Sequence, residues 1–106
     1  MKFHKGKFLK RMIDTYKTPV EEEVSWIDES NEYGFHKNEK NIWAATDIAS
    51  GMVVCSGGTR KACVEWIENH KEKIDSRRLK EDYIKAVSFM NNYKKKNTWF
   101  FLKIMI

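Results

Sequence analysis

Cys55, Cys63, His36 and His70 are the side chains with which this chain could hold a metal or attack a carbonyl, and their spacing argues against both. Cys63 and His70 fall on one helical face, but seven helical residues separate their α-carbons by about 10 Å, too far for two ligands of one tetrahedral zinc. Paired C-x-x-C spacing is absent. The same separation keeps Cys63 and His70 from acting as nucleophile and base, which must come within hydrogen-bond reach. Cys55 with His36 across a sheet is the other pairing, and neither belongs to a nucleophile pattern. Asp47 and Glu32 would be the carboxylates of an acid–base pair, yet Asp47 stands just before a hairpin turn, where aspartate serves the backbone. The expectation is therefore a binding protein with no catalytic residue, no metal and no cofactor. In a reducing compartment the two cysteines are expected as free thiols.

Anion chemistry is better represented. Gly57-Gly58-Thr59-Arg60-Lys61 is a glycine turn opening a helix, which can present free N–H groups to an anion, with Arg60 and Lys61 adding charge. The spacing does not match the phosphate-loop pattern G-x-x-x-x-G-K-[ST], and the turn is better explained as a strand-to-helix connection with Thr59 as the helix N-cap. The net charge of +5 is unevenly laid out. Residues 1–20 carry six Lys/Arg against Asp14, residues 77–106 carry eight against Glu81 and Asp82, and residues 21–35 hold only acids. The i, i+4 pairs Arg77–Glu81, Arg78–Asp82 and Glu81–Lys85 are expected to neutralise part of this. Left over are Lys2, Lys5, Lys7, Lys10 and Arg11 at one end and Lys94, Lys95 and Lys96 at the other. Together with Arg60 and Lys61 they form the predicted nucleic-acid-binding set, provided the two ends converge. Lysines outnumber arginines sixteen to four, which favours phosphate contact over base readout. Tyr33 and Phe35, on a candidate edge strand, could stack on bases, though strand aromatics are more often core.

These residues need elements to hold them. Phe8, Leu9, Met12, Ile13 and Tyr16 follow a helical stripe and predict a helix over 6–17. Thr18-Pro19-Val20-Glu21 has the form of a capping box and predicts a second helix over 19–28, against a rival strand in which Val24 and Trp26 share a face. The period then changes to two, and 33–37, 42–48 and 52–56 predict a three-stranded meander with Gly51 in its second turn. Thr59 starts a helix whose buried face is Cys63, Trp66, Ile67, His70 and Ile74. After a break near Asp75-Ser76 a further helix carries Leu79, Tyr83, Ala86, Val87, Met90 and Tyr93, with Ile84 and Phe89 widening its apolar arc. A two-faced strand over 98–106 ends the chain.

The predicted fold is a small single α+β domain spanning 1–106, with an antiparallel sheet of three to four strands and helices packed on it, in the order α-α-β-β-β-α-α-β. No stretch is long and apolar enough for a membrane helix, and the basic start lacks the apolar run of a secretory signal, so a cytoplasmic protein is expected. The leading functional expectation is a small non-enzymatic binding protein that engages nucleic acid, or a nucleic-acid-bearing complex, through lysine–phosphate contacts. The alternative is a protein-protein inhibitor of the phage or mobile-element kind, anti-CRISPR-like, directed at a host defence complex. Ile84, Phe89, Trp99 and Phe101 would then form the protein-interaction surface, which could also join two copies of the chain.

Overall fold

The computed structural model of the chain describes residues 1–11, 20–38 and 40–96. Five strands come first: β1 Phe3–Arg11, β2 Val20–Asp28, β3 Tyr33–Lys37, β4 Trp43–Asp47 and β5 Met52–Gly57. Three helices follow, α1 Arg60–Asn69, α2 Lys71–Arg78 and α3 Glu81–Lys96. The strands pair antiparallel in sequence order, β1-β2-β3-β4-β5, making a small α+β domain with five strands where three or four are predicted. No helix among the described residues is long and apolar enough to cross a membrane.

The two helices predicted for 6–17 and 19–28 are strands wherever the chain is described. β1 and β2 form a continuous ladder from Phe3↔Asp28 to Arg11↔Val20. Phe8 and Leu9 are adjacent and both buried, so this part of β1 is covered on both sides, and such a strand produces apolar runs that a helical template also accepts. Cross-strand chemistry, which a local window does not see, favours the ladder. The basic end of β1 lies against the acidic start of β2, and Lys10 Nζ is 3.0 Å from Glu23 Oε2. Val24 and Trp26 share a face in β2, as the rival strand reading has it. The strand predicted for 98–106, with Trp99 and Phe101, lies outside the described residues, as do Met12, Ile13 and Tyr16.

The meander itself follows the sequence closely. Its turns use residues that tolerate a left-handed backbone, with Asn31 at φ 59°, Asn41 at φ 62° and Gly51 at φ 71°. Gly34 is required for space: a Cβ there would lie 2.5 Å from the Phe8 ring. β1 also approaches β5, and the sheet face opposite to Phe35 and Ala45 carries the buried Phe8, Ile27, His36, Ala44 and Thr46. On the other side Phe35 and Ala45, both fully buried, meet Cys63 and Ile67 of α1 and Ile74 of α2.

The helical region breaks at His70 instead of near Asp75-Ser76. The His70 ring stacks on Trp66 with centroids 4.1 Å apart, and its Nδ1 lies 2.6 Å from the Trp66 carbonyl oxygen. Its backbone (φ −126°, ψ 30°) ends α1 and starts α2. Leu79, predicted as a buried stripe residue, caps the end of α2 and is 81% exposed. In α3, Ala86 and Met90 are buried, and Met90 and Tyr93 pack on Leu9, fastening the end of the helix to β1.

Candidate functional site

Two constellations of charged and aromatic residues stand at opposite ends of β4. At the Asp47 end the carboxylate is nearly inaccessible and fully engaged. Its Oδ2 accepts from the Ser50 N–H at 3.0 Å, the Ser50 hydroxyl at 2.7 Å and the Tyr83 hydroxyl at 3.0 Å, and its Oδ1 accepts from Arg78 Nη2 at 3.0 Å. The same guanidinium donates to Tyr33 Oη at 3.1 Å and reaches Glu32 Oε2 at 3.4 Å. Burial, reinforced by Asp47, pushes the Tyr83 phenol up to about 12, and burial also raises Tyr33. Both phenols therefore stay protonated at neutral pH. Burial alone would lower Arg78, but Tyr33 and Asp47 outweigh it and hold the guanidinium charged. The turn chemistry expected of Asp47 is present, and with it a tie from the sheet to α2 and α3. With both oxygens occupied and Glu32 turned to Arg78, the pair is not poised as acid and base.

At the Trp43 end, Phe3, Trp26, Trp43, Thr59, Arg60, Lys61 and Val64 line an open depression of about 640 Å³. The strand register sets a cation beside each of its tryptophans: Lys5 stands directly opposite Trp26, and Lys37 directly opposite Trp43. Lys5 Nζ lies 5.1 Å from the Trp26 ring centre and Lys37 Nζ 5.7 Å from that of Trp43. The Arg60 guanidinium sits 4.4 Å over Phe3 and 5.1 Å from Trp26. Thr59 caps α1, its hydroxyl accepting the Ala62 N–H at 3.0 Å, and so aims the first turn at the depression. That turn contains no acid. Among the described residues, Lys5, Lys37, Arg60 and Lys61 meet no carboxylate.

The predicted basic set thus divides. Lys5, Arg60 and Lys61 come together around the tryptophans, with Lys2 exposed just before β1. Lys10 and Arg11 lie at the far end of β1, about 17 Å along the strand from Lys5, and Lys7 stands between. Lys10 is predicted unneutralised but is paired with Glu23. Lys94, Lys95 and Lys96 form the last turn of α3, beside the Leu9 end of β1. Arg78 is predicted to pair with Asp82 but turns to Asp47 instead, because α2 ends at Arg78 and the i, i+4 spacing no longer describes one helix. Arg77 meets Asp82 at 3.9 Å, and only Glu81–Lys85 forms as predicted. Tyr33 and Phe35 do not present faces for stacking: β3 is a central strand and both are buried. Ile84 and Phe89 are exposed on α3, 57% and 38% respectively.

Sequence reasoning assigns no binding role to Phe3, Trp26 or Trp43, and places Lys37 only beside Tyr33 and Phe35. Their signal is the repeated placement of a lysine opposite a tryptophan, readable only once strand partners are known.

The cysteine and histidine pairings do not form. His36 shares a sheet face with Thr46, its Nε2 3.0 Å from Thr46 Oγ1, whereas Cys55 stands opposite Ala45 on the other face. Burial, with a contribution from Cys63, pushes the Cys55 thiol up to about 12, and burial raises Cys63, so neither is an activated nucleophile. Among the described residues no three metal-binding side chains cluster. Comparison with family models, with curated proteins and with solved structures finds no match to this chain.

Proposed function

We propose that the protein binds nucleic acid, without catalysis, at the depression between Trp26 and Trp43. One observation carries this reading: three cations, Lys5, Lys37 and Arg60, rest on aromatic rings and a fourth, Lys61, lines the depression, where no described residue supplies a carboxylate. Basic residues in the first turn of α1 oppose the helix dipole, an arrangement that an incoming phosphate would relieve. Tryptophan and arginine planes offer stacking for unpaired bases, while the lysines contact the backbone without reading sequence.

Fluorescence anisotropy of a labelled single-stranded oligonucleotide across a salt series tests it. Log affinity should fall linearly with log salt, by about 0.7 per phosphate engaged and hence with a slope of about −3 for four cations. Absence of binding at low ionic strength overturns the reading, as does unchanged affinity in an Arg60→Ala, Lys61→Ala double variant.

A second reading has its own observation, the exposure of Leu79 at the α2–α3 junction and of Ile84 in the first turn of α3. These would suit an inhibitor or adaptor that binds a protein surface. Capture of the same partner before and after nuclease treatment, with loss in an Ile84→Asp variant, would favour this reading over the first.

A further inference from the structure

Away from the tryptophan depression, at the other end of β4 and β5, lies a cavity of about 380 Å³ between β5, α1, α2 and the start of α3. The size falls within the range of about 300–1,000 Å³ usual for small-molecule sites. Its wall is divided by chemistry. Met52 and Val54 of β5, Trp66 of α1 and Ile74 of α2 supply apolar surface, including one large aromatic ring. Lys73, Arg77 and Lys80 supply the charged part. Asp47 and Tyr83 also line it, already joined to each other and to Arg78.

Charge accounting shows what this cavity lacks. Four cations line it against one acid, and Asp47 matches only Arg78. Arg77 has a single loose contact, 3.9 Å to Asp82, with both side chains more than half exposed. Lys73 Nζ lies 6.0 Å from the Trp66 ring centre, and neither Lys73 nor Lys80 has an ion pair among the described residues. Arg78 Nε is buried without a hydrogen-bond partner among them. One face of Trp66 is covered by the stacked His70 ring, which holds the indole in place. A fixed aromatic surface thus stands beside Lys73 and Lys80, which have no ion pair among the described residues, and the loosely paired Arg77, behind which a locked network keeps the wall from collapsing.

The geometry points to this cavity as a binding site for a small anion attached to a flat apolar ring, the chemistry shared by nucleoside monophosphates and aromatic carboxylates. The ring would lie along Trp66, Val54 and Ile74, and the anion would meet Lys73, Lys80 and Arg77. The site is independent of the tryptophan depression, since it shares no lining residue with it.

Backbone amide shifts of the isotope-labelled full chain, titrated separately with AMP, phenylacetate, adenosine and inorganic phosphate, test the assignment. AMP or phenylacetate, whichever identifies the source, should perturb Met52–Val54 and Lys73–Lys80 and bind at least about tenfold more tightly than adenosine or phosphate. A Lys73→Ala, Lys80→Ala double variant, altering only exposed positions, should weaken that binding about tenfold while leaving the unfolding midpoint and oligonucleotide affinity unchanged. Adenosine binding as well as AMP would remove the role of the cations. Phosphate binding as well as either ring-bearing anion would remove that of the apolar wall. No perturbation by any of the four at millimolar concentration, or perturbation confined to Trp26 and Trp43, overturns the site.

Discussion

The two ends of β4 use the same kinds of side chain to opposite effect. At Asp47 a guanidinium, a carboxylate and two phenols are bonded to one another at 3.0–3.1 Å and partly shielded from water. At Trp43, about 13 Å along the strand, a guanidinium and two lysines lie over aromatic rings and Lys61 lines the same depression, with no ion pair to a carboxylate among the described residues. In the first place charge is used up holding helices to the sheet. In the second no described carboxylate takes it up. Composition alone does not distinguish them, because Arg78 and Arg60 are the same residue type, each one residue from another cation.

Substitutions should separate the two ends cleanly. The largest effect is expected from Asp47→Ala, which strands a partly buried guanidinium and removes the acceptor of Ser50 and Tyr83. A loss of about 3–5 kcal/mol in denaturant unfolding is expected, and a loss under about 1 kcal/mol would break the comparison by making the network a surface ornament. Arg78→Lys comes next. A lysine keeps the charge but cannot span Asp47, Tyr33 and Glu32 with one planar fork, so about 1.5–3 kcal/mol should be lost, and oligonucleotide affinity should not change in the fraction that remains folded.

What is legible in the sequence follows the range of the interactions. The segment 33–57 is legible because alternation and turn residues are local: Gly51 and Asn41 sit where the backbone turns left-handed, and Thr59 caps the next helix. β1 and β2 are not, because the evidence for them is the match of Lys10 to Glu23 across a hairpin, while the local pattern of Phe8 and Leu9 fits two periods. The Asp47 network escapes for the same reason. Its members come from positions 32, 33, 47, 50, 78 and 83, and only the Asp47–Ser50 turn contact is near in sequence. Lys5 is legible as a cation, but its use depends on Trp26 standing opposite, a matter of register.

Tyr83→Phe sharpens the comparison through pH. Deleting the hydroxyl should cost about 1.5 kcal/mol at neutral pH, the low end for one hydrogen bond to a carboxylate that keeps its other donors. Because the folded-state phenol is raised from 10.0 to about 12, folding favours its protonated form. This contribution is fully present below the unfolded value and fades as pH climbs through the folded one. Wild-type stability should therefore decline between about pH 10 and pH 12 more steeply than that of the variant. Parallel slopes would show that the phenol is not held by Asp47.

Arg60→Ala has the smallest expected effect on the fold and the clearest on binding. Its guanidinium makes no ion pair among the described residues, and its contacts with Phe3 and Trp26 are of the half-exposed cation–aromatic kind, each worth about 0.5–1 kcal/mol. Part of that loss should return, because removing a cation from the first turn of α1 relieves its opposition to the helix dipole. The unfolding midpoint should hardly move, while oligonucleotide affinity falls about tenfold and the salt slope becomes shallower by about 0.7. Arg60→Lys is the decisive companion. If phosphate attraction alone is at work, lysine restores the slope and the affinity together; if the guanidinium plane also stacks on bases, the slope returns and the affinity does not. A strongly destabilised Arg60→Ala would mean that this end of β4, too, spends its charge on the fold.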